Sequence, residues 1–214
     1  MTWARLSWAR TGEPRAADHL VRHAISLCSA RCVGSLTVGH LCPQCGSDRH
    51  GRPFVRGWQG AGAPAISAAR TTGITVIAVT SDGSIGVDVE DLVRFDDVLL
   101  AEVLLHPDES ASTPSELATT WVRKEAVLKA HGVGLALDPR TIRLAAPGEV
   151  PTVIEGPASG SPYWVRDIRL DPQLRVAVAG SGAGPDELTV REVAPEELPG
   201  RATGRTGRPA HDPW

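Results

Sequence analysis

Between Ile85 and Glu90 the chain alternates without exception: Ile85, Val87 and Val89 form one row, Gly86, Asp88 and Glu90 the other. Such a period-two pattern with β-branched residues belongs to a strand whose successive side chains face opposite ways. The apolar row needs a core to face. The acidic row sets the harder constraint, because unpaired carboxylates on a buried strand cost on the order of several kcal/mol. Either that face lies at an exposed sheet edge, or something cationic neutralises it.

A second segment supplies a partner. Thr113-Pro114-Ser115-Glu116 is a capping box with proline at the first helical position. A helix from there runs to about His131, where Gly132 and Gly134 supply the break. On it Trp121, Glu125, Leu128 and Lys129 share one side, with Lys124 flanking. Glu125 can therefore meet Asp88 and Glu90 from the helix, with Lys129 one turn beyond. Asp88, Glu90 and Glu125 are the metal-ligand candidates. Three carboxylates and an ammonium suit a hard cation such as magnesium, whose remaining positions are taken by water and substrate phosphates. Simpler readings exist for each part: an exposed i,i+4 pair for Glu125 and Lys129, a core aromatic for Trp121, a charged sheet edge for Asp88 and Glu90. Only the metal site accounts for all of them together.

Around these motifs the periodicity predicts a first helix over 11–32, with Leu20, Ala24, Leu27 and Cys28 as its apolar stripe and His19 and His23 as surface histidines. Residues 34–64 read as an irregular, glycine-rich segment, of the kind that often carries binding residues. Strands follow at 65–69, 74–80 and 84–90, a helix at 95–105 ended by Pro107, and, after the capped helix, strands at 141–144, 163–170, 174–179 and 188–193. The fold class is α+β. The expected division is an N-terminal lobe over 1–83, a C-terminal lobe over 84–194 carrying both acidic motifs, and a disordered tail over 195–214, which has almost nothing to bury.

Four cysteines in a reducing compartment are not expected to form a disulfide framework. Cys42 and Cys45 have the spacing of a zinc half-site, with Cys28, Cys32 and either His40 or His50 as further ligands of a structural zinc; the alternative is reduced thiols beside a turn. A net charge of −3 argues against nucleic acid as a partner, and no apolar run spans a bilayer. The N-terminus lacks a signal-peptide pattern, so the expected location is the cytoplasm.

Gly86-Val87-Asp88-Val89-Glu90, followed by Trp121-x-x-Lys124-Glu125-Ala126-x-x-Lys129-x-x-Gly132-x-Gly134-Leu135, resembles the 4′-phosphopantetheinyl transferase superfamily. The likeness is to the larger, pseudo-dimeric kind that activates nonribosomal peptide and polyketide synthases. It extends loosely from about residue 14 to 193. Gly51-Arg52-Pro53 matches a weaker family element, a Gly-Lys-Pro turn, with arginine in place of lysine.

The resemblance implies two similar α/β lobes related by a pseudo-twofold axis, with the active site at their interface. It implies a monomer that transfers the phosphopantetheine arm of coenzyme A to a serine of an apo peptidyl, acyl or aryl carrier protein, needs magnesium and releases adenosine 3′,5′-bisphosphate. Asp88, Glu90 and Glu125 would hold the metal, Glu125 or a water it holds would deprotonate the serine, and Lys129 would neutralise the pyrophosphate. The family's Ser-His-Ser element is replaced by Arg70-Thr71-Thr72, so Arg70, Thr71 and Thr72 are expected to contact coenzyme A in its stead, and Arg52 its 3′-phosphate. Two other functions remain open on the residues alone: a magnesium-dependent pyrophosphohydrolase, and a noncatalytic module that binds carrier proteins or coenzyme A.

Overall fold

The structure is a computed structural model that describes residues 2–11, 16–26, 37–42, 45–48, 51–58, 62–96, 99–132, 136–157 and 162–198. The strand predicted over 84–90 is there, as β6 (Ile85–Asp91). Its apolar row is buried between two sheets. The first contains β1 (Trp3–Arg10), β4 (Ala65–Thr71), β5 (Ile74–Thr80) and β11 (Glu187–Glu192), in the order β11-β1-β5-β4. The second contains β6, β9 (Tyr163–Ile168) and β10 (Leu174–Ser181), in the order β6-β10-β9. Leu6, Trp8, Val76 and Ala78 from one sheet interleave with Ile85, Val87, Val89, Val176 and Val178 from the other. Each such fully buried aliphatic side chain is worth about 1.5–3 kcal/mol. Across the join the Ser67 hydroxyl accepts the Val87 N–H at 3.0 Å.

Each sheet has a helix on its outer face. α1 (Ala16–Ser26) covers the first, with Leu20, Val21, Ala24 and Ile25 set on Ile77 and Val79. A short helix, α2 (Leu99–Leu104), precedes α3 (Pro114–His131), and α3 covers the second sheet, with Val122, Ala126 and Val127 set on Val165, Ala177 and Ala179. Two hairpins flank the sheets: β2 (Thr37–Leu41) with β3 (Arg52–Arg56), and β7 (Arg143–Leu144) with β8 (Val153–Glu155). One order of elements therefore occurs twice. A strand, a covering helix, a hairpin and two antiparallel strands give the sheet order β1-β5-β4 in the first half and β6-β10-β9 in the second.

α3 starts as the capping box requires: the Thr113 hydroxyl accepts the Glu116 N–H at 3.1 Å. The Glu116 carboxylate reaches back to Ser112 N–H rather than to the cap residue, at 2.6 Å. It ends at Gly132, whose φ of 92° is left-handed and whose N–H donates to the Leu128 carbonyl.

Several expectations need correction. β1 falls in a segment assigned no strand, although Ala4, Leu6 and Trp8 alternate with polar or small residues. Residues 34–64 are not wholly irregular, since β2 and β3 lie within them. The helix expected over 95–105 is a 3-10 turn at Leu92–Phe95 followed by the shorter α2. At the C-terminal end, Pro195–Glu197 form another 3-10 turn and Leu198 is buried against the α1 layer, so order reaches past residue 194. Residues 199–214 and 27–36 lie outside the described residues. β11, in the C-terminal part of the chain, completes the first sheet by pairing parallel with β1.

Gly86 determines how close α3 comes. A Cβ built there would lie 1.9 Å from the Ala126 carbonyl oxygen and 2.5 Å from the Ala130 nitrogen, both backbone atoms that no side-chain rotation removes. Gly86→Ala is therefore expected to destabilise the protein by about 1–3 kcal/mol or more through overpacking. It should also lift α3 from β6. Urea unfolding checks the first effect, and hydrogen–deuterium exchange of the α3 and β6 amides checks the second.

Candidate active site

The acidic row of β6 faces α3. Asp88 and Glu90 project from the strand, and one turn of α3 carries Glu125 and Lys129 beside them. Lys129 Nζ donates to the Asp88 carboxylate at 2.6 Å and to the Val87 carbonyl at 3.1 Å. Glu90 is held by Arg94, four residues on, at 3.1 Å, and by the Trp121 indole N–H. Trp121 is thus a wall of the site as well as part of the core around Val122 and Leu128.

Glu125 has no such partner. It is 8% exposed, and its Oε1 is buried without a hydrogen bond. Asp88, 6% exposed, has Oδ2 in the same condition. Burial first, then the charges of Asp88 and Glu90, push the Glu125 carboxyl up to about 7, against the opposing pull of Lys129. Burial and the Asp88 charge also raise Glu90, while Arg94 and Trp121 oppose the rise. The three acids therefore share one electrostatic field. Among the described residues they are not drawn together as a ready-made metal cage. Two buried oxygens without partners, on hard-oxygen donors beside a third carboxylate, nevertheless fit a divalent cation.

Lys124, which flanks this side of the helix, does something else. It is fully buried, and its ammonium donates to Glu109 at 2.6 Å, the Leu104 carbonyl at 2.9 Å and the Pro139 carbonyl at 3.1 Å. Glu109 in turn accepts the N–H groups of His106 and Leu144. All three ammonium protons are committed, so Lys124 ties α3 to the end of α2 and to the segment after α3. Burial lowers its pKa and Glu109 opposes the fall. Sequence reasoning missed Glu109 and Arg94. The i,i+4 spacing of Glu90 and Arg94 was a readable signal, whereas no local pattern marks Glu109.

Arg52 lies at the far end of α3. Its Nε donates to the Ile66 carbonyl at 3.4 Å, and with Leu41, Phe54, Pro64, Ile66 and Gly132 it lines a cavity of about 420 Å³. Arg70 and Thr71 do not converge. Ser67, Ala69 and Thr71 take the face of β4 toward β6, whereas Arg70 follows Ile66 and Ala68 onto the opposite face and is exposed. The Thr71 hydroxyl is buried without a partner, and Thr72 is exposed in the turn after β4. Strand alternation thus sets the Arg70 and Thr71 side chains on opposite faces of β4.

For the zinc reading, Cys28, Cys32 and His50 lie outside the described residues. His40 has Nε2 at 3.1 Å from the Asp18 carboxylate and Nδ1 at 3.4 Å from the Gly51 carbonyl. Among the described residues no group of three metal-ligating side chains forms. His19 and His23 are half-buried rather than superficial, and burial followed by the Arg191 charge lowers the His23 pKa. Among the described residues no helix is long and apolar enough to cross a membrane.

The raised Glu125 pKa has a measurable sign. In metal-free protein the folded state keeps a proton on Glu125 between pH 4.5 and about 7 that the unfolded chain releases. The stability this contributes is complete below pH 4.5 and is lost as pH rises through about 7. The loss is on the order of 3 kcal/mol for a shift of this size, from 4.5 to about 7. Glu125→Gln should therefore be more stable than the wild type at pH 8 in the presence of a chelator, and the two should converge at pH 5. Thermal unfolding at the two pH values checks this; parallel profiles would contradict it.

Residues 84–179, which contain β6, α3, β9 and most of β10, match the family model of the 4′-phosphopantetheinyl transferase superfamily. No curated protein matches the chain. Similar solved structures include a holo-(acyl-carrier-protein) synthase from Bacillus anthracis str. Ames in complex with CoA (3′,5′-ADP), 21% identical over 47% of this chain and 96% of that one, with a TM-score of 0.39. The stretch from β6 through α3 to β10, with its acids on the strand and its Lys-Glu-Ala motif on the helix, is thus the part of the chain that is similar to the 4′-phosphopantetheinyl transferase superfamily.

Proposed function

We propose that this chain transfers the 4′-phosphopantetheine arm of coenzyme A to a serine hydroxyl of an apo carrier protein, in a magnesium-dependent reaction that releases adenosine 3′,5′-bisphosphate. The observation that carries the reading is the pair of buried carboxylate oxygens without partners, on Asp88 and Glu125, beside the Lys129 ammonium. Asp88, Glu90 and Glu125 would hold the metal. Bound there, magnesium would offset the negative charge of the pyrophosphate.

The residues divide the remaining work. Glu125, or a water it holds, takes the proton of the serine hydroxyl. The serine oxygen bonds to the phosphorus that carries the pantetheine arm, and the bond from that phosphorus to the bridging oxygen breaks. Lys129 stands where it can neutralise the charge on the leaving bisphosphate. Arg52, at the rim of the cavity beside Gly132, would take the nucleotide's 3′-phosphate.

The repeated order of elements supports two α/β lobes related by a pseudo-twofold axis, with the site on one side of their join. Two lobes in one chain favour a cytoplasmic monomer of the larger kind, acting on carrier domains of peptide or polyketide synthases. The test is to incubate the protein with coenzyme A, magnesium and an apo carrier protein. The carrier's intact mass should rise by one phosphopantetheine, and omission of magnesium should prevent it. Release of free phosphopantetheine with the carrier unchanged would identify a hydrolase instead. Coenzyme A binding without either product would identify a noncatalytic module.

A further inference from the structure

Two side chains of this chain already stand on the acids that a metal would need. Lys129 Nζ is 2.6 Å from Asp88 Oδ1, and Arg94 is 3.1 Å from Glu90 Oε2. The two pairs differ in shelter. Arg94 has 61% of its side chain exposed, whereas Lys129 is mostly covered and is also fixed to the Val87 carbonyl. Asp88 itself is more than nine-tenths buried, as is Glu125, which keeps an oxygen without a partner. A cation approaching Asp88 must therefore displace or share with an ammonium in a region that water screens poorly.

We propose that Lys129 is a resident counter-ion that occupies the cation seat on Asp88 in the ligand-free protein, so that a divalent metal loads only when a pyrophosphate draws the ammonium away. The inference rests on the transferase reading above and adds a coupling to it. Metal and coenzyme A bind with strong positive cooperativity, because each is favoured by the position of Lys129 that the other requires. Such coupling is reciprocal: coenzyme A tightens metal binding by the factor by which metal tightens coenzyme A. Arg94 does the same for Glu90 more weakly, since its charge is spread into solvent.

The test reads metal binding, not catalysis. Mn²⁺ affinity is measured from the electron paramagnetic resonance signal of the unbound ion, with and without coenzyme A. The wild type should bind Mn²⁺ weakly alone and at least roughly tenfold more tightly with coenzyme A. Lys129→Met should bind Mn²⁺ alone roughly tenfold more tightly than the wild type, and coenzyme A should add little. Lys129→Arg keeps the charge and should behave as the wild type does, so the comparison does not depend on the methionine variant alone. Arg94→Gln should tighten binding by only about two- to threefold, as befits an exposed ion pair. If the coenzyme A-free wild type binds Mn²⁺ as tightly as Lys129→Met, the counter-ion role is overturned. The metal reading has its own control: Asp88→Asn should lose Mn²⁺ binding in both conditions. Retention there would remove the metal site itself, whatever Lys129 does.

Discussion

Asp88→Asn and Glu125→Gln are each expected to lower the rate of phosphopantetheine transfer by about 10³-fold or more. Each would remove a carboxylate from the proposed cation seat, and losing about 4 kcal/mol of charge stabilisation in the transition state corresponds to that factor. The change should not be a folding defect. Asparagine at 88 still offers Lys129 an acceptor and takes a negative charge away from Glu125 and Glu90, whose carboxyls are already raised by it. Thermal unfolding of Asp88→Asn should therefore stay close to that of the wild type while the carrier's mass shift disappears. An Asp88→Asn protein that modifies its carrier at the normal rate would sink the assignment of the site.

Lys124→Met is expected to destabilise the protein by about 3–5 kcal/mol, the usual consequence of removing one partner of a buried ion pair. That corresponds to roughly 6–20 °C in melting temperature for a chain of this size. The reason is what remains behind: Glu109 keeps a charge in a pocket with the Lys124 ammonium gone, and the carbonyls of Leu104 and Pro139 lose their donor. The double variant Lys124→Met/Glu109→Gln should recover part of the loss, because glutamine is neutral and can still accept from the His106 or Leu144 N–H. Urea unfolding of the two single variants and the double variant gives the coupling directly. A single variant within 1 kcal/mol of the wild type would mean that the pair contributes little.

Lys124 also marks the limit of what could be read from the residues in order. The alternation of β6 and the capping box of α3 are local patterns, and both elements lie where those patterns put them. Facing acids and a lysine one turn apart follow from strand and helix periods, so the grouping of Asp88, Glu125 and Lys129 was legible. What each group touches was not. Lys124 and Lys129 are five residues apart on one helix, yet one is committed to three buried acceptors and the other to Asp88. That difference is set by residues 104, 109 and 139, which tertiary packing alone brings to the helix. The hairpin β2–β3 escaped notice because its strands are short, half-exposed and contain glycine and proline. That Arg70 and Thr71 leave opposite faces of β4 follows, by contrast, from the strand period alone.

The parallel pairing of β11 with β1, from Trp3 opposite Glu187 to Trp8 opposite Glu192, has a bearing on synthesis. The first strand made must wait for the last before both its sides are satisfied. A nascent chain released before residue 187 would hold every residue of the 84–179 domain and still present a bare row of N–H and carbonyl groups along β1. Shortened forms cut in the 182–186 turn should accordingly self-associate through that row, even though each carries an intact Asp88, Glu125 and Lys129.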